Sequence, residues 1–114
     1  MNHIRLGDQQ RTRPKYGNQK TLVAGHVFDS KREAERYQLL CILERAGRIS
    51  DLELQPKYRL DVDGIHVADY IADFRYKDSL GFTMVEDAKG VRTAVYRLKK
   101  KLMLAIHGID ILET

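Results

Sequence analysis

The chain has 114 residues, 43% hydrophobic and 32% charged, enough for one domain with a core of its own and too few for several. No run approaches the roughly 18–20 apolar residues of a membrane helix, and the opening Met1-Asn2-His3-Ile4-Arg5 lacks the apolar stretch of a secretion signal, so a cytoplasmic protein is expected. Cys41 is the sole cysteine, which excludes an internal disulfide and every paired-cysteine zinc motif.

The positive charge sits in one place. Arg5, Arg11, Arg13, Lys15 and Lys20 face only Asp8 in the first twenty residues, and removing them from the totals of 20 bases and 16 acids leaves 15 of each. Residues 1–20 therefore read as a basic, apolar-poor arm suited to a polyanion, with Arg11, Arg13 and Lys15 as candidate contacts; a merely solubilising terminus fits the same composition. Residues 21–114 read as the folded domain.

Within the domain, Ala34, Tyr37, Leu40, Cys41 and Leu43 recur at helical spacing over Lys31–Ala46, and Gly47 supplies a left-handed stop. Leu52–Val62 and Ile65–Phe74 are alternating runs joined by Asp63-Gly64, a strong hairpin signal. Pro56 belongs near a strand start or edge. Phe82–Lys89 reads as a third strand after a turn at 77–81. Thr93 caps a second helix with Val95, Leu98, Leu102 and Ala105 on one face and Gly108 at its end, and Ile109–Leu112 forms a last strand. This α-β-β-β-α-β order predicts an α/β fold, a mixed sheet with helices on its faces.

Phosphate loops, paired histidine ligands and a serine-nucleophile elbow are absent, leaving carboxylates as the candidate chemistry. Met84-Val85-Glu86-Asp87-Ala88-Lys89 ends an apolar strand on three charges. Alternation puts Asp87 and Lys89 on one face, about 7 Å apart along the strand, and Glu86 on the other. An acid beside an ammonium suits a hard cation and the charge of a phosphate; a sheet-edge ion pair is the plainer alternative. Asp73 lies on the strand expected to pair beside Asp87. Glu33 stands on the helix stripe, although Ser30-Lys31-Arg32-Glu33 also reads as a capping box. Oxygen ligands favour Mg²⁺ or Mn²⁺.

These residues resemble the PD-(D/E)xK nuclease superfamily over roughly residues 26–112. The nearest likeness is to small phage- and prophage-encoded proteins with a Lys-Tyr-Gly-Asn start, here Lys15-Tyr16-Gly17-Asn18. Phe28-Asp29-Ser30-Lys31, Glu33-Ala34, Leu52-Glu53-Leu54-Gln55-Pro56, Tyr70-Ile71-Ala72-Asp73-Phe74 and Glu86-Asp87-Ala88-Lys89-Gly90 match as well. More distantly the series looks like the nuclease subunit of Tn7-type transposases and archaeal Holliday-junction resolvases. The resemblance implies a restriction-endonuclease-like core in which Glu33, Asp73 and Asp87 bind the metal and Lys89 serves the attacking water. Ala72 stands where the superfamily name expects Pro, and Glu35 and Asp69 are the substitutes if the register differs.

Arg97, Lys99, Lys100 and Lys101 form a candidate phosphate track on the second helix, or simply a solvated face. Gln55 is a secondary site residue. The implied function is a divalent-metal-dependent endonuclease of a phage or prophage in a bacterial host, of the resolvase kind and homodimeric, with DNA as partner and no small-molecule cofactor. Nicking or end-processing is the alternative duty, and an inactive DNA-binding module on the same fold the alternative class.

Overall fold

The Asp63-Gly64 pair turns the chain between its two longest strands, and both residues have positive φ, 51° and 79°, as a type I′ hairpin turn requires. The structure, a computed structural model, describes residues 21–23, 25–89 and 91–114. Arg11, Arg13, Lys15 and the Lys-Tyr-Gly-Asn start lie outside the described residues. Packing divides the chain into Met1–Leu40 and Cys41–Thr114.

In the first unit, β1 (Thr21–Val23) and β2 (His26–Phe28) form an antiparallel hairpin that the sequence reading did not anticipate. Its turn contains Gly25 at φ 83°. Phe28 is buried, its ring 5.0 Å from that of Tyr37. The Ser30 hydroxyl accepts the Glu33 N–H at 3.1 Å, one half of the anticipated capping box. Helix α1 (Lys31–Arg45) follows, with Ala34 and Leu40 buried. It ends at Gly47 (φ 77°), whose N–H donates to the Glu44 carbonyl at 3.0 Å while Arg48 N–H reaches the Leu43 carbonyl at 2.9 Å, satisfying carbonyls that a helix end leaves open.

In the second unit the two long runs each break once. Gln55 takes φ 52° and Pro56 has no N–H, so the first run becomes β3 (Ser50–Leu54) and β4 (Lys57–Val62). The second breaks opposite, into β5 (Ile65–Ile71) and β6 (Phe74–Lys77). Hydrogen bonds bridge the break, from Gln55 N–H to the Asp73 carbonyl at 2.9 Å and from Ala72 N–H to the Pro56 carbonyl at 3.1 Å. β4 pairs with β5, and β3, β6, β7 (Thr83–Asp87) and β8 (Leu112–Glu113) form one sheet in the order β3-β6-β7-β8, with β8 parallel to β7. The architecture is a mixed α+β fold.

Thr93 caps α2 (Ala94–Leu102) by accepting the Tyr96 N–H, and a π-helical turn (Met103–His107) leads to left-handed Gly108. The helix turns a different face inward than its aliphatic residues suggest. Tyr96 and Met103, seven residues apart, are buried with Leu60, Tyr70, Ala72, Val85 and Ile111, whereas Val95 and Leu98 are exposed. Leu102, from the expected stripe, also packs against this core; a helix orients by total burial rather than by the number of apolar residues on a stripe. Among the described residues no helix is long and apolar enough to cross a membrane.

Candidate functional site

Strand alternation delivers what it promised at the end of β7. Asp87 and Lys89 project together, with the Lys89 ammonium 3.2 Å from Asp87 Oδ1. Glu86 turns the other way into full burial and accepts the Tyr76 hydroxyl. The backbone there is fixed by β8, since Thr114 N–H donates to the Asp87 carbonyl at 3.0 Å and Lys89 N–H to the Thr114 carbonyl at 3.2 Å.

Asp87 is almost wholly buried, which a carboxylate tolerates only with partners. Tyr70, from β5, donates its hydroxyl to Asp87 Oδ2, and Lys89 supplies the opposite charge. Burial first, and the Asp87 carboxylate next, push the Tyr70 phenol far above its ordinary value, so it remains a donor. Protein groups thus supply much of the compensation that a buried carboxylate needs.

Asp73 sits at the β5–β6 break. Its N–H donates to the Glu86 carbonyl at 3.1 Å, and its Oδ2 accepts the Ala88 N–H at 2.7 Å. The second acid therefore grips the backbone between Asp87 and Lys89. Both carboxylates act on the Tyr70 hydroxyl. Glu33 is buried in the first turn of α1. Among the described residues, no three His, Cys, Asp or Glu side chains stand as a ready-made ion cluster.

The Tyr96 ring lies under Lys89, with the ammonium 4.3 Å from its centroid, close enough for a cation–π contact. The Tyr96 hydroxyl donates to Glu113 at 2.8 Å, and Arg92 (2.8 Å) and Lys100 (3.2 Å) pair with the same carboxylate. Arg92 chiefly, then Tyr96, hold Glu113 down to about 2. Burial, then Glu113, raises the Tyr96 phenol.

The basic residues of α2 divide between two hollows. Lys99 lines one with Lys89, Tyr70 and Tyr96; Arg97, Lys100 and Lys101 line another with Asp110 and Glu113. The anticipated single track is therefore split, and Lys100 is occupied by Glu113. Gln55 is exposed, and the contact that links it to the site is its backbone bond to Asp73. Tyr70, Tyr96 and Glu113 were not singled out from sequence. Tyr70 stood inside the quoted Tyr70-Ile71-Ala72-Asp73 stretch, but nothing local pairs Tyr96 with Lys89.

No curated protein and no solved structure matches the chain. A family model described as a protein of unknown function, DUF1064, matches residues 13–108, and the chain belongs to that family.

Proposed function

We propose that this chain is a divalent-metal-dependent DNA endonuclease of the PD-(D/E)xK kind, acting on branched DNA in the manner of a resolvase. On the same reading it works as a homodimer in the cytoplasm of a bacterial host. The observation that carries the reading is the buried Asp87 carboxylate 3.2 Å from the Lys89 ammonium, with Asp73 holding the residue between them.

The donors suit Mg²⁺ or Mn²⁺. They are all oxygen, and a carboxylate oxygen that accepts one hydrogen bond keeps a second lone pair. One or two carboxylates with waters and substrate oxygens are a common Mg²⁺ environment, which makes Asp73 and Asp87 the residues that would hold the ion. Bound there, the ion supplies Lewis-acid charge to the scissile phosphate.

The chain's own groups do the rest. Lys89 has three N–H donors and uses one on Asp87, leaving two for a phosphate oxygen as negative charge grows on it. The Tyr96 ring and Asp87 together fix the direction of the ammonium, and Tyr70 fixes Asp87. A water displacing the 3′-oxygen in line leaves a 5′-phosphate and a 3′-hydroxyl.

The test is incubation of the purified chain with Mg²⁺ or Mn²⁺ and synthetic four-way junctions, flaps, linear duplex and single strands. Metal-dependent cleavage of the branched forms, lost in Asp87→Asn and in Lys89→Ala while the Asp87→Asn protein still binds DNA, is the expected result. Cleavage untouched by both substitutions places the chemistry elsewhere.

A further inference from the structure

Beside Lys89 a groove of about 300 Å³ runs between β5 and the first turns of α2, lined by Tyr70, Ile71, Lys89, Val95, Tyr96 and Lys99 among others. Its size is at the small end for ligand pockets, room for one nucleotide unit and not for a duplex. Lys89 spends part of its charge on Asp87, but Lys99 has no carboxylate partner among the described residues. The acidic lining residue, Asp69, is paired through Oδ2 with Lys57 at 3.5 Å, while its Oδ1 lies 3.3 Å from the His66 ring without a hydrogen bond. The groove thus carries an uncompensated cation next to the candidate site.

Apart from Asp69 Oδ1, its other lining groups are apolar or already bonded. The Tyr70 and Tyr96 hydroxyls point to Asp87 and Glu113, so neither is free to recognise a polar small molecule. Ile71 and Val95 stand 56% and 62% exposed at its sides. Exposed aliphatic side chains flanking a cation match a nucleotide whose sugar and base are open to contact beside its phosphate. In a duplex the base faces are stacked away, and such side chains have little to touch.

We infer that this groove receives one unpaired nucleotide of the DNA strand, its phosphate between Lys89 and Lys99 and its sugar and base against Ile71 and Val95. The inference rests on the nuclease reading and deepens it: the substrate has an unpaired or flayed strand at the point of attack.

The test uses fluorescence anisotropy in EDTA, where metal-dependent cleavage does not run, with a labelled oligothymidylate and a blunt duplex of equal length. The single strand binds more tightly. Lys99→Ala weakens that binding several-fold and lowers its salt slope by about 0.7, one phosphate contact on a single strand. Lys101→Ala, on the other hollow, leaves the slope unchanged. Ile71→Ser and Val95→Ser weaken single-strand binding with no change of slope. Equal affinity for the duplex, or equal losses in Lys99→Ala and Lys101→Ala, overturns the inference in favour of a diffuse basic surface. Failure of the nuclease reading looks different: groove binding follows this pattern, yet no DNA is cut when Mn²⁺ is added. Mn²⁺-dependent cleavage with Lys99→Ala indistinguishable from wild type in binding and cutting removes the groove and leaves the nuclease.

Discussion

Replacing Asp87 by Asn separates two accounts of how a buried acid survives beside Asp73. If an ion alone makes the pair tolerable, removing one negative charge relieves repulsion and stabilises the metal-free protein. The structure argues for the opposite sign. Asp87 Oδ2 accepts the buried Tyr70 hydroxyl and Oδ1 faces Lys89 at 3.2 Å. A hydrogen bond to a charged acceptor is worth about 1.5–3 kcal/mol and a neutral one about 0.5–1.5, so Asn forfeits about 1 kcal/mol at Tyr70. The Lys89 pair adds about 1 kcal/mol, at the upper end for an ion pair that keeps some solvent contact, since the lysine side chain is 25% and Asp87 3% exposed. The expected destabilisation in EDTA is about 1–2 kcal/mol, a fall in Tm of about 5–10 °C for a domain of this size. Urea and thermal unfolding measure it, and Tyr70→Phe with the double variant gives a coupling energy of about 1–2 kcal/mol. Adding Mg²⁺ then widens the gap, since an ion that binds only the folded wild type at ten times its Kd contributes about 1.4 kcal/mol. An Asp87→Asn protein as stable as wild type in EDTA, or more so, refutes the reasoning.

Acid stability should depend on Glu113. Its depressed value means that its contribution is complete above the ordinary carboxylate value of 4.5 and is lost as pH falls toward about 2. Urea midpoints across that window should flatten in Glu113→Gln. In an alkaline ultraviolet titration Tyr70 and Tyr96, both raised chiefly by burial, should ionise only as the protein unfolds, and Tyr70→Phe should remove one tyrosine from that late phase. The inward face of α2 is checked by a pair of substitutions: Met103→Ala, at a fully buried position, should destabilise by about 2–5 kcal/mol, and Val95→Ser, at an exposed one, by no more than about 0.5. Equal effects in denaturant unfolding would return the helix to the face its aliphatic stripe suggests.

What the amino-acid sequence determined here is local. Asp63-Gly64 dictated the hairpin because few other pairs accept positive φ twice; Thr93 marked the start of α2; and period-two alternation put Asp87 and Lys89 on one side of β7 and Glu86 on the other. Each of these is settled within a few residues. Tertiary structure decided what stands opposite them. That Tyr70 meets Asp87 is a contact between β5 and β7, and that Tyr96 lies beneath Lys89 while Lys99 faces a groove and Lys100 turns to Glu113 follows from how α2 rolls on the core. That roll is fixed by burial summed over the Tyr96 and Met103 positions and their partners from distant strands. A pattern along one element says which residues share a side, but the neighbour that side meets depends on contacts whose sequence separation leaves no periodic trace.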